Sequence, residues 1–88
     1  MKILISDEVL TQNLDGEIVL LDLQSEQYFG LDDVGSAMWN ALAQTGSVEA
    51  AFQQLQSTYD IEPDRLHQDL LSLVGQLREN GLLKEVEA

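Results

Sequence analysis

The apolar residues of this chain change period near Asp32. Before it they alternate or run together in short blocks, and after it they recur every three to four positions. Asp15-Gly16 separates Val9–Leu14 from Glu17–Leu23, which predicts a hairpin, because a type I′ turn needs positive φ at both central positions. Glu17–Leu23 (EIVLLDL) is apolar on both alternating faces, the pattern of a strand covered on each side. Gln24-Ser25-Glu26 predicts a second turn, and Gln27–Leu31 (QYFGL) a short third strand. Lys2–Ser6 reads as a further strand or an arm.

From Asp32 onward the pattern is helical. Val34, Ala37, Met38, Ala41 and Leu42 fall at i, i+3, i+4, i+7 and i+8, with Asp32 and Asp33 as cap and first turn. Trp39 stands about 100° from Met38, at the edge of that stripe, as a core or interface residue. Thr45-Gly46 ends this helix and Ser47 caps the next, whose stripe is Val48, Ala51, Phe52, Leu55 and Tyr59. Pro63 opens a third helix at its first position, where a missing N–H costs nothing. Its apolar face is Leu66, Leu70, Leu73, Val74 and Leu77. Asn80-Gly81 stops it, and Leu82-Leu83 are expected to dock back on the core. The order predicts an α+β fold with segregated layers: a winged-helix-like single domain over 1–88, a three-stranded antiparallel sheet followed by three helices.

Composition narrows the function classes. Sixteen Asp and Glu stand against four Lys and Arg, a net charge of −12. Phosphate backbones and anionic membrane surfaces are repelled by such a chain, which argues against nucleic-acid and membrane partners and leaves a protein or peptide. There is no cysteine, hence no disulfide, thiolate metal site or cysteine nucleophile. The start MKILISDEVL lacks a signal peptide's apolar run, so the expected location is cytoplasmic.

Catalytic constellations are missing. His67 is the one histidine, without HExxH spacing, and reads as a boundary residue of the third helix. Asp32, Asp33, Asp60, Glu62 and Asp64 coincide with helix starts, and capping explains them better than a cation site. Gly30 and Gly35 make no phosphate loop, and Ser36 and Ser47 sit in no nucleophile elbow. The reading is a protein that is not an enzyme on its own, with no catalytic residue, metal or cofactor.

A binding surface is easier to argue. The third strand carries neither lysine nor proline, the residues that usually blunt a sheet edge. Alternation sends Phe29, with Gln27 and Leu31, to one face and Tyr28 to the other. The third helix has a wide apolar stripe, with Asp69 flanking it at about −60° from Leu66 and Leu71 out at about 140°. The wheel leaves open which flank, Asp69 or the opposite one with His67, Leu71 and Val74, meets a ligand.

Taken together, these segments resemble the PqqD-like family, whose members are recognition elements for ribosomally made, modified peptides. The matching pieces are Glu17–Leu23, Tyr28-Phe29-Gly30-Leu31, Val34-Gly35-Ser36-Ala37-Met38-Trp39, Ser47-Val48-Glu49, Tyr59-Asp60-Ile61, Asp69-Leu70, Leu73, Leu77 and Gly81-Leu82-Leu83. Met38 departs from the family's usual isoleucine, a volume-tolerant change. The resemblance implies that a precursor's leader peptide binds as an added strand on the third strand, in a cleft bordered by the third helix. Carried onto this chain, the peptide-binding positions are Gln27, Tyr28, Phe29, Gly30, Leu66, Asp69, Leu70 and Leu73. It also implies a stand-alone recognition protein serving a modifying enzyme, the leader peptidase and cyclase of a lasso-peptide pathway in the favoured version. The alternatives are a partner of the radical enzyme in pyrroloquinoline quinone synthesis, a non-catalytic homodimer built by pairing of the exposed strand, and a DNA-binding winged helix. Pro63–Asn80 speaks against the last, holding only Arg65 and Arg78 against Asp64, Asp69 and Glu79.

Overall fold

The computed structural model describes residues 1–86. Its elements are β1 (Lys2–Ile5), β2 (Val9–Leu14), β3 (Glu17–Asp22), β4 (Gln27–Leu31), α1 (Asp33–Thr45), α2 (Val48–Thr58), α3 (Pro63–Glu79) and β5 (Leu83–Val86). β2, β3 and β4 form an antiparallel sheet in that order, and the three helices follow, as the apolar periods predict.

Turn chemistry fixes the sheet. Asp15 and Gly16 both have positive φ, 55° and 89°, and Leu14 faces Glu17 across the tight turn. The Asn13 side chain steadies it by accepting from the Gly16 N–H at 3.0 Å. At the other end Asp22 is buried because its carboxylate organises the β3–β4 turn. It accepts from Gln24 N–H at 3.1 Å and from the Ser25 hydroxyl at 2.8 Å.

The helices begin and end where their caps stand. Asp32 accepts from Gly35 N–H at 2.7 Å, and Gly46 closes α1 with φ 66°. Ser47 caps α2 through Ala50 N–H, and Pro63 sits in the first turn of α3. Glu62 departs from the capping expectation: it holds the N-cap position of α3 but makes no side-chain cap bond. The helices lie on one face of the sheet, over Ile18, Leu20 and Leu31. Trp39, Leu42, Leu66, Leu70 and Leu77 fill the centre of the core.

Two features depart from the sequence reading. β3 is not covered on both sides. Ile18 and Leu20 are buried under the helices, whereas Val19 and Leu21 face outward and are only half-buried. Their apolar character belongs to an outer row in which Leu21 lies between Leu10 of β2 and Tyr28 of β4. The segment after α3 also does more than dock: β5 pairs with β1 in a separate two-stranded ribbon, Ile5 opposite Leu83 and Lys2 opposite Val86.

Candidate functional site

The sheet order leaves β4 at an edge, and among the described residues no strand covers it. The ladder tells which groups face outward. Ile18 N–H points to the β4 side, since it donates to the Ser36 hydroxyl at 2.9 Å, and that hydroxyl donates to the Leu31 carbonyl at 3.3 Å. Direction alternates along an antiparallel pair. Gln27 and Phe29, opposite Asp22 and Leu20, therefore turn their main-chain groups toward β3. Tyr28 and Gly30 turn theirs to the open edge. Ser36 itself is buried and joins the start of α1 to the sheet beneath this edge.

Beside the edge runs a groove of about 780 Å³. One wall is Phe29, Gly30 and Leu31 with the start of α1. The other is α3, which presents Arg65, Asp69, Ser72, Leu73 and Gln76. These recur at four- and three-residue steps, a single stripe along one helix face. The stripe settles which flank of α3 looks at β4: the one bearing Asp69. The opposite flank turns to α2, where the His67 ring meets Phe52 edge-on at 5.8 Å between centroids.

Four of the eight positions expected from the sequence line the groove: Phe29, Gly30, Asp69 and Leu73. Gln27 and Tyr28 lie on the same edge strand outside the groove, and Tyr28 is 74 % exposed. Leu66 and Leu70 do not reach it. They are 1 % and 0 % exposed, because α1 and α2 occupy the side of α3 to which they point. Sequence reasoning passed over Arg65, Ser72 and Gln76, the polar edge of the helix, and Val34 and Ile61 at the groove's end. A search of the helical wheel for polar residues in line with Asp69 finds the first three.

The groove is anionic at its rim. Asp32, Asp60, Glu62 and Asp69 face it against Arg65, whose Nε lies 3.8 Å from the Asp69 carboxylate. Arg65 is exposed and Asp69 half-exposed, so this ion pair adds little stability and is free to exchange for contacts with a ligand. Among the described residues no group of His, Cys, Asp and Glu is arranged to hold a metal ion, and no helix is long and apolar enough to cross a membrane.

The geometry of an open strand beside a groove suits an extended peptide. Comparison with known proteins leads the same way. The family model "Coenzyme PQQ synthesis protein D (PqqD)" matches residues 17–83. No curated protein sequence matches. Among solved structures, TbiB1 in complex with the TbiA(beta) leader peptide is 34 % identical with a TM-score of 0.85, and the match covers 100 % of both chains. A lasso peptide synthetase B1 complexed with its leader peptide is 28 % identical with a TM-score of 0.83, over 97 % of this chain and 100 % of that one. A family match from the central strand of the sheet to the start of β5 leaves one assignment: the chain belongs to the PqqD family.

Proposed function

We propose that this protein binds the leader segment of a ribosomally made precursor peptide as a fourth strand on β4, and holds it for an enzyme of a lasso-type pathway. The observation that carries the reading is the open edge at Tyr28 and Gly30 beside the α3 groove. Main-chain bonds to Tyr28 and Gly30 supply register, and the groove sorts side chains through Phe29, Asp69 and Leu73. Ordering a flexible leader costs roughly 2–5 kcal/mol, so apolar contacts in the groove have to exceed that. The leader complexes of the two similar structures support the same assignment.

The outer face of the sheet supports a protein partner. Leu10, Leu14 and Tyr28 are 50 %, 58 % and 74 % exposed there, and Val19 and Leu21 lie between them. Exposed apolar patches rimmed by polar residues mark interaction sites. A peptide strand added to β4 would turn alternate side chains toward this face, while the helices cover the other. A processing enzyme such as a leader peptidase would therefore meet the domain and the bound peptide on one surface. The domain's part is to raise the peptide's effective concentration at that enzyme.

Titration of isotope-labelled protein with candidate leader peptides tests the reading. Saturable amide shifts along Gln27–Leu31 and on the Arg65–Gln76 face of α3 are expected. Shifts confined to other surfaces would refute the assignment.

A further inference from the structure

The ribbon of β1 and β5 has two unlike faces. Residues opposite one another in an antiparallel pair share a face, and neighbours along a strand alternate. Ile3, Ile5 and Leu83 point inward and are buried or half-buried. The other face carries Lys2 beside Val86 and Leu4 beside Lys84, all four exposed. Among the described residues the ribbon has one carboxylate, Glu85. It belongs to the inward set, and its carboxylate lies 3.6 Å from Arg78 Nη1.

We propose that the outward face docks an acidic segment of a protein partner, in which carboxylates flank an apolar side chain. The inference does not depend on the reading of β4 as a peptide-binding edge. Charge is the first argument. The chain has four basic side chains against sixteen acidic ones. Arg65 and Arg78 each stand within 4 Å of a carboxylate. Lys2 and Lys84 are diagonal neighbours on one face, and neither forms an ion pair among the described residues. Two uncompensated like charges add nothing to the fold. Carboxylates of a partner supply the missing counter-charge. Lys84 lies on β5, where lysine can guard a free edge. Lys2 has no such duty. β1 is paired with β5 on one side and held on the other by the Lys2–Ser47 bridge and by Ile3 N–H, which donates to the Gly46 carbonyl at 2.9 Å.

The apolar half of the face decides the class of partner. Leu4 and Val86 are 53 % and 37 % exposed between the lysines. Covering them takes apolar side chains, which a phosphate group does not bring. The net charge of −12 also repels nucleic acid and anionic membranes at longer range. A protein segment meets both demands. Leu4 and Lys84 further line a groove of about 590 Å³ that holds Arg78, and with it Asp7 and Glu8. The acidic part of the segment is therefore confined to the ribbon and Arg78, away from those two carboxylates.

Selection from a random-sequence displayed peptide library tests this. The baits are the wild-type protein, the double variant Lys2→Glu/Lys84→Glu, and Tyr28→Pro, which blocks the β4 edge. Amide spectra establish that each bait is folded, and Lys2→Gln/Lys84→Gln serves if the charge-reversed variant is not. Wild-type protein and Tyr28→Pro should both enrich peptides with carboxylates on either side of an apolar residue. A synthetic copy of the best such binder should bind the lysine variant at least about tenfold more weakly and weaken on wild type as salt is added. An acidic class kept by the lysine variant, or no acidic class on wild-type protein, would overturn the docking face. So would binding to phosphatidylserine–phosphatidylcholine vesicles in place of acidic peptides. Leader binding has its own readout in the amide shifts along Gln27–Leu31, so each reading can fail alone.

Discussion

At the scale of single residues, the main-chain direction of each β4 position decides what a substitution does. Proline at Tyr28 or Gly30 removes an N–H that faces the open edge, a position where sheets tolerate proline. Those variants should fold with little loss of stability and bind leader peptide at least tenfold more weakly. Proline at Phe29 strikes the β3 ladder instead, and thermal unfolding should show a clearly larger destabilisation than at Tyr28 or Gly30. Equal effects at positions 28 and 29 would contradict the deduced alternation. Ser36 gives a second prediction. Ser36→Ala leaves the buried Ile18 N–H without its partner, which should cost about 1–3 kcal/mol in denaturant unfolding. The edge strand and its alternation are legible from the sequence, but the part of Ser36 is not, since there it is one more small polar residue at the start of a helix. Its role depends on β3 arriving beneath it.

At the scale of elements, α3 divides into faces with separate duties. Leu70 is fully buried, and Leu70→Ala should cost about 2–5 kcal/mol of stability. Asp69 is half-exposed and borders the groove. Asp69→Ala should shift unfolding by less than about 0.5 kcal/mol while weakening peptide binding. Comparing melting curves and titrations of the two variants checks the division. A stability loss at Asp69 as large as at Leu70 would argue for a core role instead.

The sequence shows this helix, its stripe and its proline start. It does not show which flank looks at β4, because that follows from where α1 and α2 sit. For that reason the wheel places Leu66 and Leu70 in the expected site and leaves out Arg65, Ser72 and Gln76, which line the groove. The helices and the Asp15-Gly16 hairpin were readable because their signals are local: caps, periodicity and a positive-φ dipeptide. The β1–β5 ribbon was not, since its register joins the two ends of the described chain and each strand spans only four residues.

At the scale of the molecule, an apolar patch stands on a strongly acidic chain. Its net charge is −12, and the exposed apolar groups of β2 and β4, Leu10, Leu14 and Tyr28, share the outer sheet face. That patch predicts a protein partner on the outer face. Leu10→Lys should leave leader affinity within about twofold, since Leu10 lies two strands away from the open edge. It should weaken recruitment of the processing enzyme in a pull-down with the peptide present. The continuous apolar run of β3 was visible in the sequence, but the same run serves a doubly covered strand and a singly covered one with a sticky outer side. Only the placement of all three helices on one side distinguishes them.

Hydrogen exchange at Tyr28 and Gly30 measures the central claim most directly. In the free protein both amides point to solvent and should exchange fast, while Phe29, bonded to β3, is protected. Saturating leader peptide should slow exchange at Tyr28 and Gly30 together by orders of magnitude. A peptide that binds tightly and leaves both amides exchanging as before would contradict strand addition at this edge.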